Sequence, residues 1–140
     1  MKIPLFNYFF LYLDIPVNRK SIKDSHKAFL DAGKKIDQGY SVMLYPEGTI
    51  SVNGQLKPFK NGAFKLAIEK QVPIVPAVNL NNWKFLQNGG FFKSNGSPGI
   101  PKVVVGEVIE TKGMKEEDVE DLKKKVFKFV KEELDKYHGQ

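Results

Sequence analysis

The sequence predicts an α/β fold, a largely parallel or mixed sheet flanked by helices, and three observations carry that expectation. Short apolar runs at residues 42–45, 72–78 and 102–110 have the length and composition of buried strands. Apolar residues also recur at helical spacing over residues 22–38, 59–70 and 115–137. No repeat, linker or low-complexity stretch interrupts the alternation, so residues 1–140 read as a single domain.

Composition narrows the function classes. A hydrophobic content of 41% with 27% charged residues describes a folded chain rather than a disordered one. The absence of cysteine excludes a disulfide scaffold and thiolate chemistry, and it fits a reducing compartment. With only His26 and His138 available, no multi-histidine metal site is expected. The net charge of +6 suits anionic partners. Lysine supplies nearly all of it, and Arg19 is the single arginine, a planar bidentate group in a chain that otherwise uses point charges. Nucleic acid is not the expected partner, because the aromatic residues cluster at 3–13 and 83–92 while the lysines spread through the helices.

Residues 3–17 open the chain with an apolar, aromatic run. It is shorter than the roughly 20 apolar residues that span a bilayer and lacks a small-residue cleavage site. A short helix, either core or membrane-facing, is expected there. Pro16 biases Ile15 toward an extended conformation. Ser21 with Asp24 forms a capping-box pattern, and Gly39 occupies the C′ position of the helix that follows. Within that helix His26 is expected on the apolar stripe, partly buried.

Next comes Tyr45-Pro46-Glu47-Gly48-Thr49-Ile50-Ser51. An apolar run leads into it, Pro46 stops ladder pairing and Gly48 permits backbone conformations that other residues resist. This arrangement sets a carboxylate, a hydroxyl and backbone N–H groups at the end of a strand, where α/β domains bind ligands. Downstream, Lys57 and Lys60 fall in the first turn of the helix expected over 59–70. Two prolines place the 72–78 strand at an edge or bend. The last helix is the clearest, with Val119, Leu122, Val126, Phe129, Val130 and Tyr137 on one face. His138, close to the terminus, is expected to be disordered.

Several of these stretches together resemble the lysophospholipid acyltransferases, the 1-acylglycerol-3-phosphate acyltransferase family. Ile15-Pro16-Val17-Asn18-Arg19 is similar to the family's second block, and the segment at 45–51 to its third, usually written FPEGTRS. Phe59-Lys60-Asn61-Gly62-Ala63-Phe64 follows as in many members, and Val72-Pro73-Ile74-Val75-Pro76 is similar to the fourth, apolar block. The resemblance implies acyl transfer from acyl-CoA or acyl carrier protein, as co-substrate, to the free hydroxyl of 1-acylglycerol-3-phosphate, with no cofactor. It assigns acceptor binding to Arg19, Glu47, Gly48 and Thr49, with Lys57 and Lys60 adding positive potential. The acyl region is assigned to Val72, Pro73, Ile74, Val75 and Pro76. It also implies a peripheral protein at the cytoplasmic face of a membrane, with lysophospholipid and acyl thioester as partners.

Two departures stand out. Ile50 replaces the third block's arginine, a loss that Lys57 or Lys60 is placed to offset. The family's N-H-x-x-x-x-D block, source of the general base, does not precede Ile15. His26 and Asp31 match H-x-x-x-x-D by letter but lie inside a helix, where positions i and i+5 point about 140° apart. They are a decoy. The chain is therefore expected to be an N-terminally incomplete form of the domain and inactive alone. The alternative is a non-catalytic lysophospholipid- or phosphate-binding module at a membrane surface.

Overall fold

The computed structural model describes residues 14, 15, 17, 21–49, 55–85 and 96–139. Arg19, the apolar run at 3–13 and the aromatic residues Phe91 and Phe92 lie outside them. The chain divides after Leu44 into two compact units.

The first unit contains helix α1, Ile22–Asp37, and both of its ends are written in the sequence. Ser21 is extended, and its side-chain oxygen accepts the Asp24 N–H at 3.2 Å. At the other end Gly39 takes φ +85°, its N–H bonding Ile36 O and that of Tyr40 bonding Lys35 O. This is the paired closure of a Schellman motif. Ala32 and Gly33 are buried in this helix. His26 is exposed instead of sitting on a buried stripe, and Asp31 pairs with Lys34 at 3.3 Å.

Residues 40–45 then run as irregular chain, and Met43 and Leu44 are exposed. The strand expected at 42–45 does not form. An apolar run becomes a strand only where a neighbouring strand takes up its backbone groups, and side-chain composition does not supply that neighbour.

The second unit holds α2 (Gly62–Lys70), β1 (Ala77–Asn79), the single-turn α3 (Asn82–Phe85), β2 (Val103–Val105), a 3₁₀ turn (Glu116–Asp118) and α4 (Val119–His138). Val119, Leu122, Val126 and Val130 recur every three or four residues along α4 and are buried. They join Phe64 and Ile68 of α2 and Val78 of β1 in one apolar cluster. Phe64 is 2% exposed, a burial that stabilises the fold by about 1.5–3 kcal/mol. His138 is the last helical residue, its ring 5.6 Å from that of Tyr137, so the disorder expected there is not found.

β1 and β2 pair antiparallel, Ala77 with Val105 and Asn79 with Val103. No parallel pair occurs among the described residues. A parallel return needs a long crossover, usually helical, and the only described helix between these strands is the four-residue α3. Beyond the ladder, Ile74 and Ile109 exchange both backbone hydrogen bonds, at 2.9 and 2.8 Å. Between the two pairings three residues, 106–108, oppose two, 75 and 76, which makes a β-bulge. Pro76, which has no N–H to give, sits in it, and its carbonyl accepts the Gly106 N–H at 2.8 Å. The strand periods expected over 72–78 and 102–110 are broken at this point.

Three polar side chains tie the loops down. Asn81, 5% exposed, donates to Ile100 O and accepts from Lys102 N–H at 2.7 Å. Gln71 ends α2 at φ +52°, where a side chain costs about 1–2 kcal/mol. Its amide offsets the strain by bonding Ile68 O, Met114 O and the Gly113 N–H. Thr111, fully buried, shares its one hydroxyl proton between Val72 O at 2.8 Å and Ala67 O at 3.2 Å.

Candidate functional site

Pro46, Glu47 and Gly48 form a tight turn that a second stretch of chain grips. The Tyr45 carbonyl accepts the Gly48 N–H at 3.0 Å, with Pro46 at the second turn position, where its fixed φ is favoured. The Glu47 carboxylate accepts the backbone N–H of Lys57 at 3.0 Å. Three residues on, the Lys60 N–H donates to Pro46 O at 2.8 Å. Two hydrogen bonds thus tie residues 46 and 47 to residues 60 and 57.

Phe59 explains why residues 57–60 hold still. It is 9% exposed, stacked on Phe64 at 6.3 Å and set edge-on to Phe127 of α4 at 5.0 Å. Its burial points the neighbouring residue outward, and Lys60 is exposed. α2 begins at Gly62 and not at 59, after the Lys60 N–H has bonded the turn.

Gly48 lets the two segments close. Its φ is +64°, and a Cβ there would meet Lys60 Cε and Nζ at 3.0 Å. The Lys60 side chain therefore lies across the glycine face of the turn. The start of α2 adds to the positive potential. Asn61 stands at its N-cap but makes no capping hydrogen bond, because its amide donates to Glu120 Oε1 and accepts from Lys123 Nζ, both at 2.7 Å. The first N–H groups of a nine-residue helix are left uncovered by that side chain beside Lys60. Glu120 is held charged below its usual range, first by the Lys123 hydrogen bond and then by Asn61.

The structure thus gathers Glu47, Gly48, Lys57 and Lys60, with Thr49 exposed at the end of the turn. Arg19 lies outside the described residues. Residues 72–76 begin at the far end of α2, about 14 Å along its axis. There Val72 O takes the Thr111 hydroxyl, Ile74 pairs with Ile109, Pro76 is buried and Val75 is exposed. Among the described residues no three acidic or histidine side chains gather to hold a metal ion. The turn thus carries the Lys60 ammonium group over Gly48 and the Glu47 carboxylate on the Lys57 N–H.

Sequence reasoning did not find Asn61, Gln71, Asn81 or Thr111. Their partners are 59, 42, 21 and 44 residues away, beyond any local periodicity. It also missed that the Glu47 carboxylate holds backbone.

A family model described as Acyltransferase matches residues 1–79. The chain is 37% identical over 104 residues to human 1-acyl-sn-glycerol-3-phosphate acyltransferase beta, covering 74% of this chain and 36% of that protein. It is 33% identical over 91 residues to the 1-acyl-sn-glycerol-3-phosphate acyltransferase of Borreliella burgdorferi, covering 63% of this chain and 36% of that one. The crystal structure of the 1-acyl-sn-glycerophosphate acyltransferase PlsC from Thermotoga maritima superposes with a TM-score of 0.77 at 25% identity, over 99% of this chain and 54% of that chain. The chain thus spans about a third of the length of the curated relatives it matches.

Proposed function

Because the chain belongs to the acyltransferase family, we propose that it forms the acceptor-binding part of a 1-acylglycerol-3-phosphate acyltransferase. The observation that carries this reading is the Lys60 side chain laid over Gly48 beside the start of α2. A phosphate monoester needs several donors on one small volume, and the Lys60 ammonium group beside the start of α2 supports that reading. In the transfer, the acceptor hydroxyl oxygen bonds to the thioester carbonyl carbon. The C–S bond breaks, and the proton leaves with a base on its way to the thiolate. Acyl-CoA or acyl carrier protein would be the donor, and Arg19 would complete the phosphate grip that Ile50 does not supply. Residues 72–76 would support the acyl chain.

None of the described residues is arranged as the base. His26 is exposed on α1, and Asp31 is paired with Lys34. Glu47 is tied to the Lys57 N–H at 3.0 Å, which commits its carboxylate to holding the backbone. Residues 1–140 alone are therefore expected to bind acceptor without turnover. Membrane association completes the proposal, at the cytoplasmic face where acyl thioesters are made. No described helix is long and apolar enough to cross a bilayer.

The test is titration of purified 1–140 with a short-chain lysophosphatidate. Binding should weaken about tenfold in Arg19→Ala and in Lys60→Ala, the loss of one charge-assisted contact each. No binding by the unsubstituted chain would overturn the acceptor reading. Acyl transfer from acyl-CoA that persists in His26→Ala would overturn the account of the base.

A further inference from the structure

At the end of the second unit formed by α3 and the C-terminus of α4, two lysines share one aromatic ring. Lys84 Nζ lies 5.1 Å from the Tyr137 ring centroid and donates to its hydroxyl at 3.3 Å. Lys102 Nζ lies 5.5 Å from the same centroid. The Tyr137 ring thus brings two ammonium groups to one small region of the surface. The ring's negative face offsets part of their mutual repulsion.

The patch is built, not incidental. Asn81 fixes residues 100–102 through Ile100 O and Lys102 N–H. Ser97 ties the same loop to α3, its N–H to Phe85 O at 3.0 Å and its hydroxyl to Lys84 O at 3.2 Å. The Phe85 ring lies so close to Gly99 that a Cβ there would overlap it. On this braced loop Ile100 stands 82% exposed, the most exposed of the large apolar residues of the described chain. On the adjoining turns of α4, Glu133 pairs with Lys136, whose ammonium it holds above its usual range, and Glu132 with Lys128 at 3.8 Å, while Asp135 is exposed.

An exposed isoleucine two residues before Lys102, on a loop braced to the helix that carries Lys84, matches one environment, the boundary between headgroups and acyl chains. Tyrosine is enriched there, lysine stems lie along apolar surface with their ammonium groups at the phosphates, and anionic lipid adds attraction. We propose that Ile100, Lys102, Lys84 and Tyr137 form the docking surface of this chain for a bilayer containing anionic phospholipid. Ile100 enters the acyl boundary, and the two lysines sit on headgroup phosphates. This deepens the peripheral-membrane part of the proposed function and is independent of the acceptor site around Gly48.

The experiment is co-sedimentation of residues 1–140 with vesicles of phosphatidylcholine alone or mixed with phosphatidylglycerol. The unsubstituted chain should bind the mixed vesicles only. Lys84→Glu with Lys102→Glu should lower partitioning by at least about 25-fold, roughly fivefold for each lysine lost. Lys125→Glu with Lys131→Glu, on the exposed side of α4 and with the same change in net charge, should lower it less than about threefold. Equal losses in the two pairs would assign binding to net charge and overturn the patch. Failure of the unsubstituted chain to bind would overturn the membrane reading itself, and lysophosphatidate titration in solution separates that result from failure of the acceptor site. Should the charge reversals disturb folding, Ile100→Cys carrying a polarity-sensitive dye is uniquely labelled, since the chain has no other cysteine. Its emission should shift to the blue on mixed vesicles, and an unchanged spectrum would equally sink the proposal.

Discussion

The Glu47 carboxylate accepts the backbone N–H of Lys57 at 3.0 Å, across ten residues of chain. A residue expected to touch substrate is thereby shown holding the segment that carries Phe59 and Lys60. A glutamine keeps a carbonyl acceptor for that N–H, whereas alanine removes it. Lysophosphatidate affinity should fall about tenfold in Glu47→Ala and less than threefold in Glu47→Gln, from the typical worth of a hydrogen bond to a charged group. Equal losses in calorimetric titrations of the two variants would return Glu47 to the role of substrate ligand.

Gly48 is constrained twice, by its φ of +64° and by the Lys60 side chain 3.0 Å from where a Cβ would stand. Gly48→Ala should cost about 1–2 kcal/mol of stability and push Lys60 off the turn. Thermal unfolding and lysophosphatidate titration should both respond, and wild-type affinity in this variant would show that Lys60 does not act over the glycine.

How much of this was legible beforehand follows from the range of each signal. α1 and α4 were readable because caps and 3.6-residue periodicity act within a few turns, as Ser21, Gly39 and the Val119–Val130 stripe show. The motif residues around Glu47 stood out as a composition, but their mutual grip spans ten to fourteen residues and has no period. Strand expectations fared worst. The run at 42–45 has the residues of a strand and is irregular, while β1 and β2 are three residues each because Pro76 and the bulge interrupt them.

Thr111 illustrates a further class, the buried polar latch. Its hydroxyl serves two carbonyls, Ala67 O at the end of α2 and Val72 O. Thr111→Val keeps the shape but leaves Val72 O without that donor in a dry site. The expected loss is about 1–3 kcal/mol, and a lower midpoint in urea with unchanged m-value would register it. An unaltered midpoint would mean that water takes the hydroxyl's place.

The pairing of Lys65 with Glu116 makes a pH prediction of definite sign. Lys65, first by its hydrogen bond and then by its charge, lowers the Glu116 pKa below 4.5. A carboxylate depressed in the folded state stabilises it fully above the unfolded value and ceases to as pH falls through the folded one. Glu116→Gln should therefore lower the melting temperature slightly at neutral pH, with the two profiles converging as the pH falls below about 4.5, a small effect that salt erodes. Parallel acid limbs in the two proteins would show that the pair does not form in solution.

The bulge opposite Pro76 has a consequence for how this stretch tolerates change in length. Val104 and Ile109 are five residues apart, so in an unbroken strand they would face opposite sides of the sheet. The extra residue among 106–108 reverses that parity, which is how Val104 packs on the core while Ile109 and, two residues on, Thr111 are buried as well. Parity is a property of counting rather than of chemistry. Substitutions at the exposed Glu107 or Val108 leave it intact, whereas deletion of either residue would turn Ile109 and Thr111 outward together. Over these few positions the protein reads its own sequence in steps of two, and the loss of a single step acts like a shift of frame.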